Sequence, residues 1–282
     1  GQVPHPSNDR LLQEFKQLDA IFRTPTFTSR ILSTATCPSA CRYREIPTYA
    51  DTGVTSDGAP LNCANFLHAN EIPYPDEKNR RTFIASQAPL PRALPAFLAL
   101  LLRLHIPMVV SILEPRELGP QQPGYWLQPQ LQIPGSSYRL QSSLEKDYGS
   151  FAVRRVLLDS GAQSHQFYHF HLSSWRDGDV PPPQLLQGLL YSYRTIWSFS
   201  KHTHAPVLVH CSAGIGRTGT YIAGYFLFRA HRIARRLKRS PTHSVYGVVH
   251  HLRSYRPFMV ATAGQYAFLH SLDEYLRTAN LN

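Results

Sequence analysis

The sequence predicts an α/β domain, and three stretches carry that expectation. Residues 206–223 read as a short apolar strand, Val207-Leu208-Val209, then a loop containing Gly214 and Gly216, then a mostly apolar, helix-compatible run from Thr218 onward. A helix over about residues 91–104 is followed by the strand-like run Met108-Val109-Val110-Ser111-Ile112-Leu113. Residues 127–158 alternate in the manner of several antiparallel strands. The 282 residues are 43% hydrophobic with no compositional break, so one domain over residues 1–282 with a large core is expected.

In chain order, residues 1–9 are expected to be flexible, and residues 11–18 have helical spacing of apolar positions. Cys41-Arg42-Tyr43-Arg44-Glu45-Ile46-Pro47 places an aromatic ring between two arginines, ahead of a turn-forming proline and the polar run 51–58. Residues 81–90 read as core and scaffold, Cys63 as a buried inert thiol, and Glu114 as the end of the 108–113 strand. His165, His169 and His171 recur on a period-two stretch. Without a carboxylate or cysteine at ligand spacing they are expected to share a strand face rather than bind metal. Trp175-Arg176-Asp177-Gly178-Asp179-Val180-Pro181 follows as an acidic turn. Helices are expected over 183–199, 219–238, 244–256 and 264–276, with Pro257 separating the last two.

The net charge of +11 fits acidic substrates. No zinc-finger spacing, RNA-binding aromatic motif or helix-turn-helix pattern supports nucleic acid as a partner. The basic run ending the 219–238 helix reads as a solvated face. The longest apolar run, residues 94–102, falls well short of the roughly 20 residues that cross a bilayer, so stable membrane insertion is not expected. No signal peptide opens the chain. Cys37, Cys41, Cys63 and Cys211 lack metal-ligand spacing, and one of them needs a free thiol, so a reducing, cytoplasmic setting is expected.

The need for a free thiol comes from the loop His210-Cys211-Ser212-Ala213-Gly214-Ile215-Gly216-Arg217-Thr218. Its two glycines let consecutive N–H groups converge, and the helix that follows points its positive end at the same place. A thiol set there is favoured as the thiolate, a nucleophile at neutral pH. Arg217 offers a planar fork that matches two oxygens of a tetrahedral dianion, so phosphate is the natural guest. A buried apolar cysteine would require none of these neighbours.

The pattern His-Cys-x5-Arg-Thr resembles the phosphate-binding loop of the protein tyrosine phosphatases, in their tyrosine-specific, non-receptor-like form. The resemblance implies an α+β, phosphatase-II-like fold, with a highly twisted mixed sheet flanked by helices. It also implies hydrolysis of protein phosphotyrosine in signalling, with no cofactor and no metal. Cys211 would attack phosphorus, Arg217 would bind the phosphoryl oxygens, Thr218 would assist breakdown of the intermediate and His210 would support the thiolate. Ser212, Ala213, Gly214, Ile215 and Gly216 would line the bound group. The partners implied are tyrosine-phosphorylated proteins, met by a monomer.

Other stretches extend the resemblance from about residue 11 to residue 276. Residues 41–46 resemble the phosphotyrosine-recognition loop Asn-Arg-Tyr-x-Asp-Val, with Tyr43 stacking on the substrate phenol and Glu45 holding its backbone; Cys41 and Glu45 depart from the pattern. Trp175-Arg176-Asp177 resembles the mobile Trp-Pro-Asp loop, which makes Asp177 the general acid, with Asp179 the weaker candidate and Arg176 in place of proline. Glu114 stands where the family pairs a glutamate with the loop arginine. Arg256, Pro257, Met259, Val260, Thr262, Gln265 and Tyr266 match the closing region, where Ala261 replaces the glutamine that positions the hydrolytic water. Gln265 remains as a possible substitute, while Arg253 and Phe258 lie where some relatives bind a second phosphate. Two alternatives stay open: a phosphotyrosine-binding module with impaired turnover, motivated by Arg176 and Ala261, and a dual-specificity or lipid phosphatase.

Overall fold

A computed structural model describes residues 8–75 and 81–282. Residues 1–7 of the expected flexible start lie outside the described residues, whereas Asn8 and Asp9 already belong to helix α1 (Asn8–Ile21). Leu11, Phe15 and Leu18 of α1 are buried, the i, i+4, i+7 stripe of a helix laid on a core. After a one-turn helix α2 (Pro25–Thr28), strands β1 (Ile31–Leu32) and β2 (Thr48–Tyr49) form a small separate pair.

Among the described residues the main sheet has nine strands: β3 (Gly53–Thr55), β4 (Phe66–Pro73), β5 (Thr82–Ser86), β6 (Met108–Ile112), β7 (Gln130–Gln132), β8 (Arg139–Asp147), β9 (Phe151–Asp159), β10 (Ser164–Leu172) and β11 (Val207–His210). Their order is β3-β4-β5-β11-β6-β10-β9-β8-β7. The centre, β5-β11-β6-β10, is parallel and both margins are antiparallel, which makes the sheet mixed as expected. Residues 127–158 do supply antiparallel strands, β7, β8 and β9.

Parallel strands are buried on both faces, and β11 is buried at every position. Val207 and Val209 join the apolar layer under helices α4 (Leu186–Phe199), α5 (Gly216–Arg236), α6 (Val245–Arg253) and α7 (Ala263–Thr278). Leu208 joins the opposite layer, under α3 (Leu94–Arg103). The prolines at 91 and 183 open single 3-10 turns ahead of α3 and α4, where a missing N–H costs nothing. The four parallel strands end on one edge of the sheet, so the segments after Ser86, Ile112, Leu172 and His210 meet there, the usual place for a site in such sheets.

The three strand histidines do share one face of β10, and each ring has its own partner. His165 Nε2 meets the Ile106 carbonyl at 2.6 Å, His169 Nε2 meets Ser111 Oγ at 2.7 Å and His171 Nε2 meets the Leu113 carbonyl at 2.7 Å.

Cys63 differs from expectation. It is exposed rather than buried, and it is bonded to Cys37 in a disulfide that closes a separation of 26 residues. Residues this far apart in sequence meet because the 3-10 turn Pro38–Ala40 packs against the start of β4 through Cys37, Cys41 and Phe66. A disulfide persists where the surroundings oxidise, whereas Cys211, the thiol on which the reducing-compartment expectation rested, stays free. Closing a loop of this size restrains the unfolded chain, so Cys63→Ser is expected to lower the unfolding free energy by about 3.5 kcal/mol in denaturant titration.

Candidate active site

The loop after β11 is built by its carbonyls. The Cys211 carbonyl faces His210 Nδ1 at 3.2 Å, the Ser212 carbonyl accepts from Ala88 N–H at 2.9 Å, and the Ala213 and Gly214 carbonyls accept from Arg256 at 3.0 and 2.8 Å. The Ile215 carbonyl accepts from the N–H groups of Gly219 and Val260, both at 3.0 Å. With its carbonyls all drawn into the protein, the backbone presents its donors to the interior of the loop. Gly214 N–H donates to Cys211 Sγ at 3.2 Å, and the N–H groups of Ser212, Ala213, Ile215, Gly216 and Arg217 make no hydrogen bond among the described residues. Arg217 Nε and Thr218 Oγ1, buried beside them, are also unpartnered. Such a concentration of unused donors at the start of a 21-residue helix is a site for a multiply charged anion.

Gly214 is required where it stands. Its φ is +77°, and a Cβ there would sit 2.2 Å from the Ser86 carbonyl oxygen. Arg256 is the sequence's least obvious contribution: fully buried, it holds two loop carbonyls with one guanidinium and also donates to Asn70 Oδ1 at 2.8 Å. Burial lowers it to about 10.

Arg217 is buried, and its glutamate partner is Glu117, not Glu114. Nη1 donates to Glu117 Oε2 at 2.7 Å and Nη2 to Oε1 at 2.8 Å, a two-point pairing, while Nη1 also reaches the Trp175 carbonyl at 3.1 Å. Glu114 instead pairs with exposed Arg116 at 2.8 Å. The reason is local: Pro115 starts a 3-10 turn, and its capping box swings the Glu117 carboxylate back over Glu114 N–H and toward the loop. Burial opposes the charge on Arg217, but Glu117, Cys211 and Asp177 outweigh it and hold the guanidinium above its ordinary value. Glu117→Gln is expected to lower kcat/KM by about 10–100-fold through loss of Arg217's orientation, and Glu114→Gln by less than about twofold, as steady-state kinetics would show.

The segment 115–125 supplies two further residues that the sequence reading did not single out. Tyr125 and Ser111 hydroxyls meet His210 Nε2 at 2.9 and 2.8 Å, and Gln122 accepts from Ser212 Oγ at 2.8 Å. Burial drives His210 down to about 4, so its ring is neutral at pH 7 and leaves the positive field around Cys211 to Arg217 and the loop N–H groups.

Trp175 is buried and its indole donates to the Asp179 carbonyl at 2.7 Å, closing the acidic turn on itself. Within that turn the two aspartates separate. Asp177 Oδ1 lies 3.3 Å from Arg217 Nη2 with its side chain 73% exposed, whereas the Asp179 carboxylate accepts from its own neighbour, Val180 N–H. Of the two aspartates Asp177 is the one that reaches Arg217, and Arg176 beside it is exposed.

Gln265 ties this turn to the closing region. Its Oε1 accepts from Ala261 N–H at 3.0 Å and Thr262 N–H at 3.3 Å, and its Nε2 donates to the Asp179 carbonyl at 3.1 Å. The closing region is held tightly enough to keep Val260, a β-branched residue, at φ +65°. Arg253 binds the Met259 and Val260 carbonyls at 2.9 and 2.8 Å and Asp19 at 2.6 Å, so its guanidinium is already committed; Phe258 is exposed.

Tyr43 stands over the loop with its hydroxyl 2.6 Å from Ser212 Oγ. Because the serine proton goes to Gln122, the tyrosine is the donor. Arg42 fixes the approach, its N–H on Gln87 and its guanidinium on the Ala88, Pro89 and Gln121 carbonyls. Glu45 is exposed and makes no hydrogen bond or ion pair among the described residues. Cys41, in place of the family's asparagine, is buried with its thiol on the Cys37 carbonyl at 3.4 Å.

The chain belongs to the protein-tyrosine phosphatase family, whose model matches residues 38–272. Mouse receptor-type tyrosine-protein phosphatase eta is 30% identical over 93% of this chain and 21% of that protein; the human form is 31% identical over 81% and 17%. Human tyrosine-protein phosphatase non-receptor type 5 is 28% identical over 73% of this chain and 35% of its own length. The chain thus spans about a fifth of the eta proteins it matches. The fold is that of PTPN18, solved in complex with HER2 phosphopeptides, with a TM-score of 0.81, 22% identity and coverage of 96% and 94% of the two chains. It is also that of Trypanosoma brucei protein tyrosine phosphatase TbPTP1, with a TM-score of 0.75, 26% identity and coverage of 97% and 93%. Among the described residues no helix is long and apolar enough to cross a membrane.

Proposed function

We propose that this domain hydrolyses phosphotyrosine in proteins, acting as a monomer through a cysteinyl-phosphate intermediate. The observation that carries the reading is the loop itself: every carbonyl from Cys211 to Ile215 is bonded outward, while, among the described residues, all its N–H groups from Ser212 to Arg217 except that of Gly214, which donates to the Cys211 sulfur, stay free for phosphoryl oxygens. In the first step Cys211 Sγ forms a bond to phosphorus, the bond from phosphorus to the tyrosine oxygen breaks, and Asp177 delivers a proton to that oxygen. A phenolate has a pKa of about 10, so this donor is worth about 10²–10⁴-fold. In the second step Asp177 takes a proton from water, the water oxygen bonds to phosphorus, and the sulfur leaves. Arg217 holds the equatorial oxygens in both steps, and Thr218 offers its buried hydroxyl to the departing sulfur.

Tyr43 makes the pocket deep, so the phosphate of a tyrosine reaches Cys211 and that of a serine or threonine falls short. This wall weighs against the dual-specificity alternative. The binding-module alternative loses support because Cys211, Arg217 and Asp177 sit together. Comparing turnover of phosphotyrosine and phosphothreonine peptides tests the claim; equal kcat/KM values would sink it.

Ala261 bears on the second step. Gln265, the available substitute, already spends its oxygen on two backbone N–H groups and its nitrogen on Asp179. Stopped-flow release from an aryl phosphate is therefore expected to show a burst followed by slower turnover. Ala261→Gln should raise the steady rate by about tenfold or more and remove the burst. A wild-type reaction with no burst would mean that another group positions the water.

A further inference from the structure

We propose that the far end of α5 carries a second binding site, a basic cleft that takes an acidic segment of a polypeptide. The cleft encloses about 880 Å³ between the last turns of α5, the connection to α6 and the end of α7. Residues 229–244 contain Arg229, Arg232, Arg235, Arg236, Lys238 and Arg239 and no Asp or Glu, a large part of a net charge of +11. Arg235, Lys238 and Arg239 line the cleft together with Arg277 of α7. Among the described residues the one acid on its wall, Asp273, meets His231 Nε2 at 2.7 Å. Arg235 donates to the Leu276 and Ala279 carbonyls, which fix its position and leave its charge uncancelled.

Lys238 supplies an independent observation. The N–H groups of Lys238 and Arg239 return to the carbonyls of Arg235 and Ala234, which is the helix-ending motif whose left-handed residue is ordinarily glycine. Lys238 occupies that residue at φ +53°. A glycine would take the conformation without strain, so the chain keeps a cation where the backbone disfavours any side chain. Local rules of this kind are broken at functional or strained sites.

The shape selects the guest. The cations line a concavity walled by polar side chains, Ser240, Thr242 and His243 among them, which suits carboxylate or phosphorylated side chains entering singly. The 21 residues of α5 place the cleft about 30 Å from the Cys211 loop, so an acidic tract in the same phosphoprotein would dock well away from its phosphotyrosine. This assignment of the guest to a substrate rests on the phosphatase reading, but the cleft's affinity for acidic peptide does not.

The test is fluorescence anisotropy of a labelled oligoglutamate peptide lacking phosphotyrosine, at physiological salt, on the full chain. Lys238→Gly is expected to weaken binding about threefold and Lys238→Gly with Arg239→Ser about tenfold. The Lys238→Gly protein should melt at the same or a higher temperature, and aryl phosphate turnover should be unchanged in both variants. Equal affinity of the wild type and the double variant would overturn the proposal. So would charge-dependent binding to phosphatidylserine vesicles without binding to the peptide, which would assign the patch to a membrane. Loss of aryl phosphate turnover in the wild type would instead count against the phosphatase reading alone.

Discussion

Replacing Cys211 with serine is expected to lower kcat for phosphotyrosyl peptides by about 10⁴-fold or more while leaving their affinity within about threefold. The asymmetry follows from the loop. A serine hydroxyl is far less acidic than a thiol, so the nucleophile is lost. The outward-bonded carbonyls, the free N–H groups, Arg217 and Tyr43 do not depend on the sulfur and stay in place. Steady-state kinetics and anisotropy with a labelled phosphopeptide read the two halves separately. A serine variant that lost binding as well would mean that Cys211 shapes the loop rather than reacting in it.

Arg217→Lys is expected to cost about 10³-fold in kcat, although the charge is kept. The guanidinium simultaneously meets both Glu117 oxygens, the Trp175 carbonyl and Asp177, with Nε left over at the loop. An ammonium group has no planar fork and cannot span these positions and the phosphoryl oxygens together. Lysine would stay with Glu117 and abandon either the acidic turn or the phosphate. A loss of less than about tenfold would show that charge alone suffices and that the two-point geometry is incidental.

Much of this site was legible in the sequence because its chemistry is contiguous. The strand, the glycines, Cys211 and Arg217 lie within one short stretch, and each residue type is demanded by the anion they surround. Asp177 and Tyr43 were singled out by the family resemblance alone, since their stretches by themselves read as an acidic turn and as an aromatic ring between two arginines ahead of a turn. What escaped was tertiary. Glu114 and Glu117 differ by three positions, and only the 3-10 turn decides which faces Arg217. The spacing Glu-Pro-Arg-Glu, a capping-box pattern with proline at the first turn position, was the available signal. The Cys37–Cys63 bond had none, since spacing does not report which thiols the fold brings together. Arg256 was visible as a motif residue, yet its grip on two loop carbonyls depends on α6 bringing the chain back from the far end of α5.

The fold was legible at the level of α/β alternation and of the one antiparallel margin in residues 127–158, whereas the β3-β4-β5 margin and the nine-strand order were not. That order depends on β11 inserting between β5 and β6, a choice made by the two apolar layers that sandwich it.

The central claim, transfer of the phosphoryl group to Cys211, is tested most directly by rapid acid quench of the wild-type protein mixed with a radiolabelled phosphotyrosyl peptide. The account predicts label on Cys211 within the first turnover, persisting into steady state because Ala261 slows its hydrolysis, and no label on the Cys211→Ser variant. Steady release of phosphate with no labelled protein at any time, or turnover that survives in the serine variant, would contradict it.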